Sequence, residues 1–202
     1  MAEQNRKPNS HMIKTGNYIY IYNLDTLVNL PTYPESVQDN LQSNFQQTQA
    51  LSRTAPVFTY QNSGPRTMSF QFTFHRDMLN DANKGGLSNA ELYVGEDYVD
   101  YIVRNLQAIA LPTYNSGSKS VVPPEVAVRI GEGDDIFIRG VVQGNVTVGY
   151  SMPMLANGKY AMVNISFSVY ETTPFDAKAV SQMGSFRGIT SAFKNGQITQ
   201  EG

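Results

Sequence analysis

Thr67-Met68-Ser69-Phe70-Gln71-Phe72-Thr73-Phe74-His75 alternates without interruption, with Met68, Phe70, Phe72 and Phe74 on one side and Ser69, Gln71 and Thr73 on the other. A repeat of two is the side-chain period of an extended strand, and a helix would scatter these apolar residues around its circumference. The stretch is a strand with an aromatic core face and a polar face. Upstream, residues 17–22 (NYIYIY) repeat the rhythm, Tyr18, Tyr20 and Tyr22 opposing Ile19 and Ile21. Downstream, EVAVRI (125–130), a GEGDD turn and IFIRGVV (136–142) read as two further strands. A strand around 145–150 follows, and Asn157-Gly158 signals a two-residue type I′ hairpin. Its return strand, 160–170, sets Ala161, Val163, Ile165, Phe167 and Val169 against Asn164, Ser166 and Ser168. Pro153 removes a ladder donor, so an edge or a bulge is expected there.

One segment has helical periodicity. Over 96–111, Val99, Ile102, Val103, Leu106 and Ala110 form a single stripe, Glu96 and Asp97 lie in the first turn, and Pro112 ends the element. Residues 35–55 are glutamine-rich, with Val37, Leu41 and Phe45 sparsely spaced, and read as a weakly amphipathic helix or an extended clasp. Residues 77–95 and 113–122 read as loops. The chain divides into a polar N-terminal arm (1–16), one core domain (17–171) and an extended C-terminal arm (172–202). The fold class is α+β and mainly β: an antiparallel sheet or partly open barrel of about six strands carrying one helix.

Charged residues make up 16% of the chain, against roughly 25% in an ordinary soluble domain. Uncharged polar groups are cheaper to desolvate than ions, so this composition suits a surface that is covered by neighbours. The net charge of −2 comes with no long lysine or arginine run, which disfavours nucleic acid. Cysteine is absent, removing disulfides, thiolate chemistry and cysteine-bound metals. The polar N-terminus reads as no signal peptide, and no stretch is long and apolar enough for a membrane span. His75, beside Arg76 and Asp77, reads as a strand-end polar residue, and neither a Ser/His/Asp set nor a Walker or zinc-protease motif is present. Glu132, Asp134 and Asp135 have the character of a turn more than of a calcium loop, since the distal ligands are missing. Glu91, Glu96 and Asp97 have nothing in the sequence to orient them as a glycosidase pair. The tyrosine row of 18–22 suits either a protein interface or sugar stacking, which makes a carbohydrate-binding module the alternative from another class. The expectation is a non-enzymatic protein without cofactor or metal.

Two stretches carry a resemblance. Ser52–Tyr60 (SRTAPVFTY) followed by Pro65–Phe74 (PRTMSFQFTF) resembles a pattern of contractile-tail proteins. In that pattern an arginine-containing segment with a proline leads to a tyrosine, a glycine turn and an alternating strand. VVPPEVAVRIG, FIRGVV and VTVGYSMPMLANGKYAMVNISFSVYE, within 121–171, are similar to the strand-and-hairpin series of phage baseplate wedge proteins and tail hub adaptors. Some of those relatives bear a peptidoglycan-binding LysM module; none is recognisable after Glu171, so the resemblance implies a structural adaptor. It implies a virion protein made in the host cytoplasm, in six copies, joining the hub or tube to the wedges; a tube-like or hub-ring subunit is the alternative. Under this reading Arg53, Tyr60, Arg66 and Arg139, with Phe175, Phe186 and Phe193 of the C-terminal arm, sit at partner contacts. Arg139 equally suits pairing with a nearby carboxylate.

Overall fold

A computed structural model describes residues 16–49, 54–76, 92–114, 121–131, 136–172 and 177. Among the described residues the chain is mainly β with one helix of more than a turn, and its sheets are antiparallel. In order come β1 (Tyr18–Ile21), a 3-10 turn (Tyr22–Leu24), β2 (Thr26–Asn29), β3 (Ser36–Asn40), β4 (Ser43–Thr48), β5 (Val57–Ser63) and β6 (Thr67–His75). Helix α1 (Tyr98–Ala108) precedes β7 (Thr113–Tyr114), β8 (Val121–Val122), β9 (Glu125–Ile130), β10 (Ile136–Val142), β11 (Thr147–Met154) and β12 (Tyr160–Glu171).

Eight strands form one sheet in the order β2-β1-β9-β10-β12-β6-β3, with β11 also on β12. β12 is the pivot. One of its sides pairs with β6 from Met162↔His75 to Tyr170↔Thr67. The other is shared, β11 taking Tyr160–Ser166 and β10 taking Val169–Glu171. At the second junction the backbones run so close that a Cβ on Gly140 would lie 1.8 Å from the Tyr170 carbonyl oxygen. Only glycine fits there.

Alternation selects the core. Phe70, Phe72 and Phe74 of β6 and Val163, Ile165, Phe167 and Val169 of β12 are buried. Phe72 and Phe167 stack with ring centroids 6.2 Å apart. The apolar stripe of α1, extended by Tyr98 and Tyr101, joins the same core as Ile19, Ile21, Val126 and Val128. The Tyr98 hydroxyl donates to the Asn29 carbonyl at 2.8 Å, tying the helix to the β1–β2 hairpin.

Several expectations are corrected. Residues 35–55 contain no helix among those described; β3 and β4 make them extended, because partners across the ladder supply what a thin apolar stripe lacks. The described residues form twelve strands where about six are expected, the additional ones being mostly short or polar. Tyr22 opens the 3-10 turn and is not part of the first strand. The helix is shorter than 96–111: Asp97 is its N-cap, Glu96 precedes it, and Ala110 lies beyond it, exposed. Tyr114 and Val121 begin a two-stranded ribbon inside the expected 113–122 loop. The hairpin at Asn157-Gly158 exists, but of its residues only Gly158 has positive φ, +79°. Its loop has three residues, Ala156–Gly158, bracketed by Leu155 donating to the Lys159 carbonyl (2.8 Å) and Gly158 donating to that of Leu155 (2.9 Å). This is the longer hairpin in which a single left-handed glycine closes the turn. The irregularity expected at Pro153 is present: it falls at a register shift on β11, between Ser151 and Met154.

Candidate assembly interface

β3–β4 and β5–β6 make one long hairpin. Its root, β3 with β6, belongs to the main sheet, and its distal half, β4 with β5, forms a separate two-stranded sheet among the described residues. Gly64 donates to the Gln42 carbonyl at 2.8 Å, so the ladder continues across the break between the halves. Every residue of β5 is exposed. Paired residues of antiparallel strands share a face, so Phe45 with Tyr60 and Gln47 with Phe58 define one side of this arm. Gln46 with Thr59 and Thr48 with Val57 define the other, and Gln61, at the register shift, donates to Gln46 at 3.0 Å. Phe45 and Tyr60 meet edge to face, centroids 5.5 Å apart, yet remain 55% and 54% exposed; Phe58 is 62% exposed. The arm is a ribbon whose aromatic side has no cover among the described residues.

A charged cluster anchors the root. Arg66, just before β6, is buried and grips Asp39 of β3 through Nε at 2.9 Å and Nη2 at 2.7 Å. Glu171, the last residue of β12, is buried beside them, and its backbone N–H donates to the Arg66 carbonyl at 2.9 Å. Burial pushes the Glu171 carboxyl up to about 7; the Arg66 charge pulls it down and that of Asp39 adds to the rise. The arm's root and the end of the last strand therefore share one polar junction.

A second exposed apolar region lies at β11. Tyr150, Met152 and Met154 are more than half exposed, and among the described residues β11 pairs only with β12. The hairpin below it is pinned to the helix start. Lys159 Nζ donates to Asp100 at 2.5 Å and to Asp97 at 3.3 Å, while Arg76 pairs with both carboxylates. Burial would raise the Asp100 carboxyl, but hydrogen bonds from Arg76 and Lys159 outweigh it and hold it below the usual range.

Of the sequence-predicted contact residues, Tyr60 stands on the aromatic side of the arm. Arg66 is buried and taken by Asp39. Arg139 pairs with Glu125 at 2.9 Å and lies over the Tyr22 ring, 4.6 Å from its centroid. Arg53, Phe175, Phe186 and Phe193 fall outside the described residues, as do Glu91 and the Glu132/Asp134/Asp135 cluster. The tyrosine row is partly covered from within: Arg129 lies near Tyr18 and Arg139 over Tyr22, and the Tyr20 hydroxyl donates to Asp25. Glu96 pairs with Arg104 at 3.1 Å. Among the described residues no three His, Asp or Glu side chains are grouped to hold a metal ion, and no helix is long and apolar enough to cross a membrane. Phe45 and Phe58 were missed as contact residues, although the charge-free sequence around them was a usable signal. Comparison with protein-family models and with curated proteins finds no match for this chain.

Proposed function

We propose that the protein is a non-enzymatic structural subunit of a phage contractile-tail baseplate, where it joins the central hub or tube to the surrounding wedges, in six copies. The observation that carries this reading is the aromatic side of the β4–β5 arm. A chain that buries Phe70, Phe72 and Phe74 completely leaves Phe45, Phe58 and Tyr60 in water. A contiguous exposed aromatic surface marks a contact with another macromolecule, because rigid rings bury large area at little entropic cost. A two-stranded ribbon is also marginal in isolation, so an arm of this kind gains most of its order from what it lies against. The order of the two resembling stretches, 52–74 and 121–171, with a helix between, supplies the choice of assembly.

The test is gold labelling of contractile-tail particles assembled with this chain. Label confined to the head-distal end of the tail is expected. Label along the whole tube would replace the adaptor role with that of a tube subunit, and unlabelled tails would remove the reading. A triple variant, Phe45→Ser/Phe58→Ser/Tyr60→Ser, is expected to fold as the parent does and to be missing from the particles.

A further inference from the structure

Glu171 breaks the pattern of its strand. Alternate residues of β12 from Ala161 to Val169 are apolar and turn into the core, and the same alternation turns the Glu171 side chain that way. It is buried, and among the described residues no hydrogen bond reaches its carboxyl. A buried carboxylate needs donors or a counter-charge of its own. Its neighbours do not supply one. On β10 the residue opposite is Gly140, which has no side chain. The adjoining Arg139 points to the other face of the sheet, where it pairs with Glu125. Just before β6, Arg66 is engaged by Asp39 of β3 through two hydrogen bonds, and Asp39 adds a like charge beside Glu171. Two carboxylates thus draw on one arginine at the root of the arm.

We propose that Glu171 is a proton-operated latch on the end of β12: protonated, it seats the strand end against the arm's root, and on ionising it carries that end out to water. The position makes local release possible, because Glu171 is the last residue of its strand. Its departure breaks its N–H bond to the Arg66 carbonyl, 2.9 Å, and its pairing with Gly140. The Thr172 N–H bond to the Arg139 carbonyl, 3.4 Å, goes with them. The next pairs, Val141↔Tyr170 and Tyr170↔Thr67, remain. Arg66 then belongs to Asp39 alone, so the arm's root stays closed while the chain beyond β12 is let go. The sign follows from the proton. The seated carboxyl keeps it up to about pH 7, and the released one only to its ordinary 4.5. Opening therefore becomes about tenfold more favourable per pH unit between those values and is constant outside them. The latch operates in whatever assembly the chain serves.

The test is amide hydrogen exchange by NMR on the full chain from about pH 5 to about pH 8, corrected for the intrinsic pH dependence of exchange. Protection of the Glu171 amide is expected to fall about tenfold per pH unit up to about pH 7 and then to level off. At every pH it is expected to lie about a hundredfold or more below that of Val169, the mark of a local opening. Glu171→Gln keeps the shape of the side chain without the ionisation, and is expected to lose the slope. A parent whose Glu171 protection does not change with pH would overturn the proposal, because the carboxylate would then ionise in place. The same slope in Glu171→Gln would assign it to another group and overturn it equally. Protection of Glu171 equal to that of Val169 would mean that the strand end opens only with the whole fold, and no latch would exist.

Discussion

At Glu171 the chain places a carboxyl where water barely reaches, 9% exposed, next to an arginine that already serves another carboxylate. Its proton affinity in the fold is raised to about 7 from an ordinary value of 4.5, and this fixes the sign of its effect. Below pH 4.5 both folded and unfolded chains hold the proton, and the group contributes nothing. As pH rises, the unfolded chain ionises first, so stability falls until about pH 7, and the penalty is constant above that. A shift of this size corresponds to on the order of 3 kcal/mol. Glu171→Gln is therefore expected to be more stable than the parent at pH 8 and equal to it at pH 4, read from denaturant midpoints at the two pH values. Equal midpoints at pH 8 would mean that Glu171 ionises freely in the fold. None of this was legible in the sequence. Arg66 and Asp39 are separated by 27 residues, and what joins them is the β3–β6 register that sets Asp39 opposite Met68.

Single elements show what local pattern can and cannot specify. The capping box of α1, in which Asp97 accepts from the Asp100 N–H at 2.9 Å, also carries the ion pairs to Arg76 and Lys159. Asp97→Ala removes both and is expected to cost about 3 kcal/mol, because the buried Arg76 loses a counter-charge as well as the helix losing its cap. Asp97→Asn keeps the cap and is expected to recover about a third of that loss, measured by thermal or denaturant unfolding. Strands β6 and β12 were readable directly, since alternating aromatic and polar residues admit one period only. The helix was readable from its stripe, but its ends depended on which acid capped it. β3, β4 and β5 were not. Their residues are mostly polar, and pairing across a long hairpin makes them strands where their own propensities do not. Phe45→Ala and Phe58→Ala are accordingly expected to change monomer stability by less than about 0.5 kcal/mol, whereas Phe72→Ala costs about 3–5 kcal/mol.

Across the whole molecule, burial runs in a gradient from the centre of the main sheet outward. Amide hydrogen exchange is expected to be slowest in β6 and β12, which pair with each other over nine positions, and fastest in β4 and β5, where side chains are exposed on both faces. Protection of the arm equal to that of β12 in the isolated monomer would contradict the picture of an arm that gains its order by docking. The same layout has a mechanical meaning. A tug on the tip of the arm travels down β5 into β6, which lies antiparallel to β12 along almost its entire length. That load falls across the ladder as shear, so many hydrogen bonds resist together. A tug on β2, a four-residue strand at the far margin of the sheet, would instead peel its pairs from β1 one after another. The handle that the molecule extends toward its neighbours is thus rooted in the seam best able to bear tension.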